Sequence, residues 1–355
     1  MSRADDPAAR RRPFRCGVTA KGNTMSGSTG FTWRKDINPQ DGLELIMLGC
    51  RQDEFNGNNL EAWIAPSHGS NLCRLSVDGN NVIDFDRNLL VKNAFTGTPV
   101  LYPTPNRVRN GVFRYHGKAY DQVKRGVRIF EHGLVHNEPW NYLDPQVNQA
   151  SLYFTTWIDF DETCAMFQAF PFTHRLSLGF CLTRAGLQIS YTIENKGDQT
   201  IPFGFGLHPY FTKLSGDAGT CVELPANYVM DYTSDLLPTG RLIEVSGTQF
   251  DLRKKVELGA LDLDHVFTGV PEGKCAQIYY DTLHMQVRLV ATSDFSHQVL
   301  YSPPGENFFC LENQTCSTDA HNLADRNFTL ESGLKFVLPG KNYTGSVSYL
   351  IIKEE

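Results

Sequence analysis

The residues with chemistry to offer stand beside apolar runs. Phe308-Phe309-Cys310-Leu311 leads straight into Glu312-Asn313-Gln314. A carboxylate at the end of a buried strand loses part of its hydration, which disfavours the ionised form and raises its pKa towards that of a useful base. The same pattern fits a strand-end Glu in water. Phe203-Gly204-Phe205-Gly206-Leu207-His208-Pro209-Tyr210-Phe211 sets one imidazole among aromatics and glycines. Pro209 biases His208 to an extended backbone, and the two glycines let other groups approach the main chain closely. A lone His there also fits a satisfied core residue. Between Glu131 and Trp140 lie two His, two Glu, an Asn and a Trp, including His132, His136 and Asn137. That set suits a polyol, since a Trp face packs a sugar's apolar side while His and Asn meet its hydroxyls. A polar loop with a core Trp would read the same way. Pro105-Asn106-Arg107 offers a guanidinium fork for sugar oxygens or a carboxylate, or an exposed Arg in a turn. Leu263-Asp264-His265-Val266-Phe267 places one more carboxylate inside an apolar run.

Other chemistries lack their signatures. There is no Gly-x-Ser-x-Gly elbow and no Gly-x-x-x-x-Gly-Lys-Ser/Thr phosphate loop. Gly204-Phe205-Gly206 is one glycine short of a dinucleotide fingerprint. His132-Gly-Leu-Val-His136 has the spacing of a metalloprotease helix without its Glu, and Gly133 disfavours a helix. No clustered Cys or His spacing supports zinc, so neither metal nor cofactor is expected. A net charge of −6 with a pI near 5.9 leaves no electrostatic footprint for nucleic acid. Arg10-Arg11-Arg12 and Lys254-Lys255 are short basic runs that read as surface. No stretch approaches the roughly 18 to 20 apolar residues of a membrane helix. The N-terminal arginines are followed by Pro13-Phe14-Arg15-Cys16 and not by an apolar signal core. Nine cysteines without a CxxC pair argue for reduced thiols in a cytoplasmic setting.

The elements that must position these residues read as strands. Residues 1–30 are polar and basic, a disordered leader dispensable before Met25. From 31 to 355 the pattern is one all-β domain. Leu43–Leu48 is the first apolar run. Leu72–Val77 alternates, turns at Asp78-Gly79-Asn80-Asn81 and resumes at Val82. Val112–Tyr115 with Lys118–Tyr120, Leu176–Thr183 with Leu187–Glu194, and Ala276–Tyr280 with Met285–Ala291 make three hairpins. Asn342–Ile352 is a final strand. Period-2 alternation and Gly/Asn/Asp turns carry these assignments. No helical period survives three turns.

The order Asn106-Arg107, His132-Gly133, His208-x-Tyr210-Phe211, Asp264-His265, Glu312-x-Gln314 resembles the aldose 1-epimerase (galactose mutarotase) superfamily. Pro105–Phe113, His208-Pro209-Tyr210-Phe211 and Glu312-Asn313-Gln314 with Asp319-Ala320 and Asn322 carry the likeness most specifically. The resemblance implies a β-supersandwich of large antiparallel sheets with an open cleft on one sheet. It implies Glu312 as general base and His208 as general acid. It implies that Asn106, Arg107, His132 and Asp264 hold sugar hydroxyls or support the acid; His136 has no counterpart. The implied activity is interconversion of sugar anomers on a small-molecule sugar. A hexose-6-phosphate 1-epimerase drawing on Arg109, Arg114, Lys118 or Lys213, and a non-catalytic carbohydrate-binding protein, are the alternatives. The chain departs from the pattern at Pro209, at Thr212-Lys213-Leu214 and at Cys316-Ser317-Thr318.

Overall fold

A computed structural model describes residues 25–26, 30–51, 58–122 and 129–353. The strands expected from alternation are present. The last one, Asn342–Lys353, shows the cause: Gly345, Val347, Tyr349 and Ile351 are buried and their neighbours less so. Branched and aromatic side chains on alternate positions give a strand one face to bury.

The strands build two large antiparallel sheets. The nine-stranded one runs in the order Asn141–Val147, Leu152–Phe160, His174–Thr183, Gly186–Asn195, Asn342–Lys353, Met285–Ala291, Ala276–Tyr280, Thr220–Glu223, Val256–Glu257. The 14-stranded one begins as a meander from Met25–Ser26 to Asn80–Ile83. There it jumps along the chain: Phe211 pairs with Ile83. Phe308–Gln314, His297–Ser302, Leu263–Thr268, Tyr228–Tyr232 and Pro238–Glu244 follow across the sheet. Side chains from both sheets join in one core, Ile46, Leu48, Ile83, Phe211 and Phe309 from the larger and Phe154, Phe180, Ile189, Val347 and Tyr349 from the smaller. This is the sheet-on-sheet arrangement in which inward faces interdigitate.

Helices among the described residues are short; the longest, Ala320–Asp325, has six residues. None is long and apolar enough to cross a membrane. The sheet also starts earlier than the boundary at residue 31 assumed: Met25 and Ser26 pair with Trp33 and Thr32. The rest of the proposed leader, 1–24 and 27–29, lies outside the described residues.

Candidate active site

Strand register assembles the site. Tyr210 stands opposite Cys310, Cys310 opposite Tyr301, and Tyr301 opposite Asp264. These four side chains therefore form one row across four strands on one face of the larger sheet. It is the face away from the main core, because Phe309 and Leu311 on the same strand point inward. Glu312 lies two residues from Cys310 on the same side, beside Val299. The sequence placed Glu312 at a strand end. Instead the strand runs on to Gln314, and Glu312 is buried within it, only 2% exposed.

His208 occupies a gap in the neighbouring strand. Leu207 pairs with Asn313 and Tyr210 with Cys310, both on the Glu312 strand. Continuing that register sets His208 directly opposite Glu312. Pro209, lacking an N–H, interrupts the ladder there. Space requires glycine at 204 and is tight at 206. A Cβ on Gly204 would lie 2.2 Å from Cys316 Sγ and 2.6 Å from Pro105 Cδ; one on Gly206 would lie 3.0 Å from Gln314 Cγ.

The result is a contact of 3.3 Å between His208 Nε2 and Glu312 Oε1. The other carboxyl oxygen, Oε2, accepts a 2.8 Å hydrogen bond from Gln314 Nε2. Burial dominates both partners. It pushes Glu312 up to about 8, with Asp264 adding to the rise while the Gln314 hydrogen bond and Arg107 oppose it. It pulls His208 down to about 4, and nearby His136 acts in the same direction. Near neutrality each partner is thus held in its neutral form, so the pair carries one proton on the carboxyl and a neutral imidazole beside it.

Arg107 arrives from the strand Arg107–Arg109. Its Nη2 donates to Asp264 Oδ2 at 3.1 Å, a residue 157 positions away. Its Nε is 3.0 Å from Glu131 Oε1, and Asn106 Oδ1 accepts from the Arg107 amide at 2.8 Å. The guanidinium fork is therefore seated on carboxylates and not loose in a turn. Asn106 is buried with φ 59°, the left-handed region Asn tolerates. His132 also has positive φ, 66°, and its amide donates to Asn106 O at 2.9 Å. Gly133 follows because a Cβ there would sit 2.2 Å from Tyr102 O. The His132 ring meets the His208 ring edge-on at 5.1 Å.

All six predicted residues are therefore brought together in one chain of contacts. Two neighbours from the Glu131–Trp140 stretch differ in where they stand. His136 belongs to the same cluster: Phe95 lies 4.8 Å from His132 and 4.8 Å from His136. His132, His136 and His208 each keep a buried Nδ1 without a hydrogen-bond partner among the described residues. By contrast the buried His174 engages both ring nitrogens, Nε2 with Tyr102 Oη and Nδ1 with Phe172 O. Trp140 is a core residue, 4% exposed, and offers no face to a sugar. The aromatic wall comes instead from Tyr210, stacked on His208 at 5.1 Å, then Phe308 at 5.0 Å and Tyr301 beyond it. Tyr210 and Phe308 belonged to motifs noted in the sequence; Tyr301 enters by register alone. Of the four scattered cations, Lys213 is buried and paired with Asp217, while Lys118 and Arg114 sit on an exposed hairpin. Among the described residues no group of three or more His, Cys, Asp and Glu is arranged to hold a metal ion. Cys73, Cys221, Cys310 and Cys316 are buried thiols.

A two-sheet β-sandwich with a buried carboxyl–imidazole pair flanked by polar and aromatic side chains is the class these features define. The family description aldose 1-epimerase matches residues 55–350, and the chain belongs to that family. Among relatives, the uncharacterized protein YihR of Escherichia coli K12 is 26% identical over 242 residues, covering 66% of this chain and 74% of that protein. Human galactose mutarotase is 27% identical over 199 residues, covering 52% of this chain and 53% of its own length. The alignment thus spans about half of the human protein. Among solved structures, a galactose mutarotase-like protein from Clostridium acetobutylicum superposes with a TM-score of 0.77 at 21% identity, over 91% of this chain and 98% of that one. Galactose 1-epimerase from Lactobacillus acidophilus gives a TM-score of 0.71 at 17% identity, over 92% and 100%. These two show the shared fold.

Proposed function

We propose that the chain is an aldose 1-epimerase acting on a free aldohexose or a close relative, with Glu312 and His208 as its proton-transfer pair. One observation carries this: a carboxyl and an imidazole, both buried, face each other at 3.3 Å on the polar side of the sheet. Mutarotation removes a proton from the anomeric hydroxyl and delivers one to the ring oxygen. The ring opens, the carbonyl turns, and closure on the other face returns both protons. The pair begins and ends with the same single proton. A bound hydroxyl and the cation of Arg107 favour the ionised carboxyl, and its proton then rests on the imidazole. Glu312 in that state is the base and His208 the acid. Asn106, Arg107, His132 and Asp264 would hold the hydroxyls, with Tyr210, Phe308 and Tyr301 against the apolar sugar face. Holding both groups against one sugar supplies the orientation component of the rate.

Free aldoses are favoured over their 6-phosphates because Lys213, one of the four candidate cations, is already engaged by Asp217. Polarimetry of anomer exchange over glucose, galactose and glucose 6-phosphate tests the proposal. Faster exchange of a free aldose is expected. A clear preference for the phosphate would transfer the assignment to a hexose-6-phosphate epimerase. Sugar binding without acceleration would leave a carbohydrate-binding protein.

A further inference from the structure

Asp319 and Asn322 recur in the sequence pattern yet touch neither His208 nor Glu312. Their contacts lead elsewhere. Asp319 has φ 54° and a fully buried carboxyl. Its Oδ1 accepts from the Arg109 amide at 3.1 Å and from Asn322 Nδ2 at 2.7 Å. Its own amide donates to Arg107 O at 2.9 Å. Asn322 Nδ2 also donates to Val112 O at 3.0 Å, and its Oδ1 accepts from the Arg114 amide at 3.1 Å. Every one of these bonds outside the pair ends on main chain of residues 107–114. The chain between Glu312 and Asp319 is in turn tied to the His208 segment, since Thr315 N donates to Phe205 O at 2.8 Å and Thr315 Oγ1 accepts from Phe205 N at 2.9 Å. The chain that leaves Glu312 therefore fastens both the acid's strand and the strand of Arg107.

We propose that Asp319 and Asn322 are positioning residues, a clip whose hydrogen bonds to residues 107–114 set where the Arg107 guanidinium enters the site. The inference rests on the epimerase reading and adds to it a source of substrate affinity outside the site. A guanidinium pinned by its own backbone spends less on ordering when a sugar binds. The hydrogen bonds of the clip all end on Oδ1; Oδ2 accepts none and makes only a long ion-pair contact, 3.8 Å from Arg109 Nε, while burial raises the carboxyl's pKa.

The test is a double-mutant cycle with Arg107→Met. Asn322→Ala should raise KM on the order of tenfold in the Arg107 background, leave kcat within about threefold, and add less than about twofold once Arg107 is Met. Asp319→Ala should behave alike. Asp319→Asn should stay near wild type, since Asn keeps the Oδ1 acceptor and tolerates the left-handed backbone. Asn322→Ala leaves that strained position alone and serves if Asp319→Ala fails to fold. Equal KM effects in both backgrounds would overturn the clip, as would an Asp319→Asn variant as impaired as the Ala one. Carbon-13 titration of the Glu312 carboxyl separates this from failure of the epimerase reading. Displacing Arg107 removes a cation that lowers Glu312, so Asn322→Ala should raise the midpoint with Arg107 present and not with Met. If wild type turns over no sugar, the epimerase reading fails and this midpoint alone decides: no movement rejects the clip.

Discussion

Glu312→Gln should make the protein inactive and, above pH 4.5, more stable than wild type relative to its behaviour in acid. The substitution keeps size and the acceptor for Gln314 Nε2 but cannot ionise. Burial raises Glu312 from its ordinary 4.5 to about 8. A group raised on folding contributes stability that is complete below the unfolded value and is lost as pH climbs through the folded one. At about 1.4 kcal/mol per pH unit, wild type gives up at most about 5 kcal/mol between pH 4.5 and 8 that the Gln variant retains. By pH 7 about 3 kcal/mol of this is already gone, several degrees of Tm for a chain of this size. Meanwhile kcat should fall on the order of 10² or more, the scale for a positioned proton-transfer group. His208→Asn should lower kcat similarly, and the double variant should be little worse than the poorer single one, because the two act as a unit. Thermal melts from pH 4.5 to 8 beside polarimetry read both effects. The opposition between activity and stability is the discriminating feature: residues kept for function are commonly kept at a cost in stability. A Gln variant that melts lower at every pH while turning sugar over normally would refute the reasoning, because Glu312 would then be a structural residue.

Three further outcomes follow from particular contacts. His174, His297 and His321 are buried and drawn down to about 4 by that burial, so the stability they lend is full above 6.5 and is lost as pH falls towards 4; Tm should drop across that window, and His321→Gln should flatten the slope. Gly204→Ala should destabilise by about 3 kcal/mol or more by forcing Cβ against Cys316 Sγ and Pro105, and adding Cys316→Ala should recover part of the loss in a thermal melt. Asn313 heads a glycosylation sequon but is buried, whereas Asn327 and Asn342 are exposed; mass spectrometry after passage through a secretory pathway should find Asn313 unmodified even where the other two carry glycan.

Hairpins were legible in the sequence because their causes are local. Alternation and a two-residue turn decide that Lys118 faces Tyr115, and the structure has that pairing. The polar residues of the site were legible as residue types beside apolar runs and as a family-like order. What the sequence alone could not carry was distance. Glu312 looked like a strand end in water until the flanking strands His297–Ser302 and Tyr210–Thr212 enclosed it, and desolvation by those strands is what moves its pKa. Trp140 and Tyr301 illustrate the same point. A Trp beside two His reads as a sugar platform, but the fold sends it into the core, while Tyr301 reaches the site because its strand lies between those of Cys310 and Asp264. Side-chain type and periodicity are written into the chain residue by residue. Which strand lies beside which, and hence which carboxyl is stripped of water next to which imidazole, is settled only when contacts between distant segments form together.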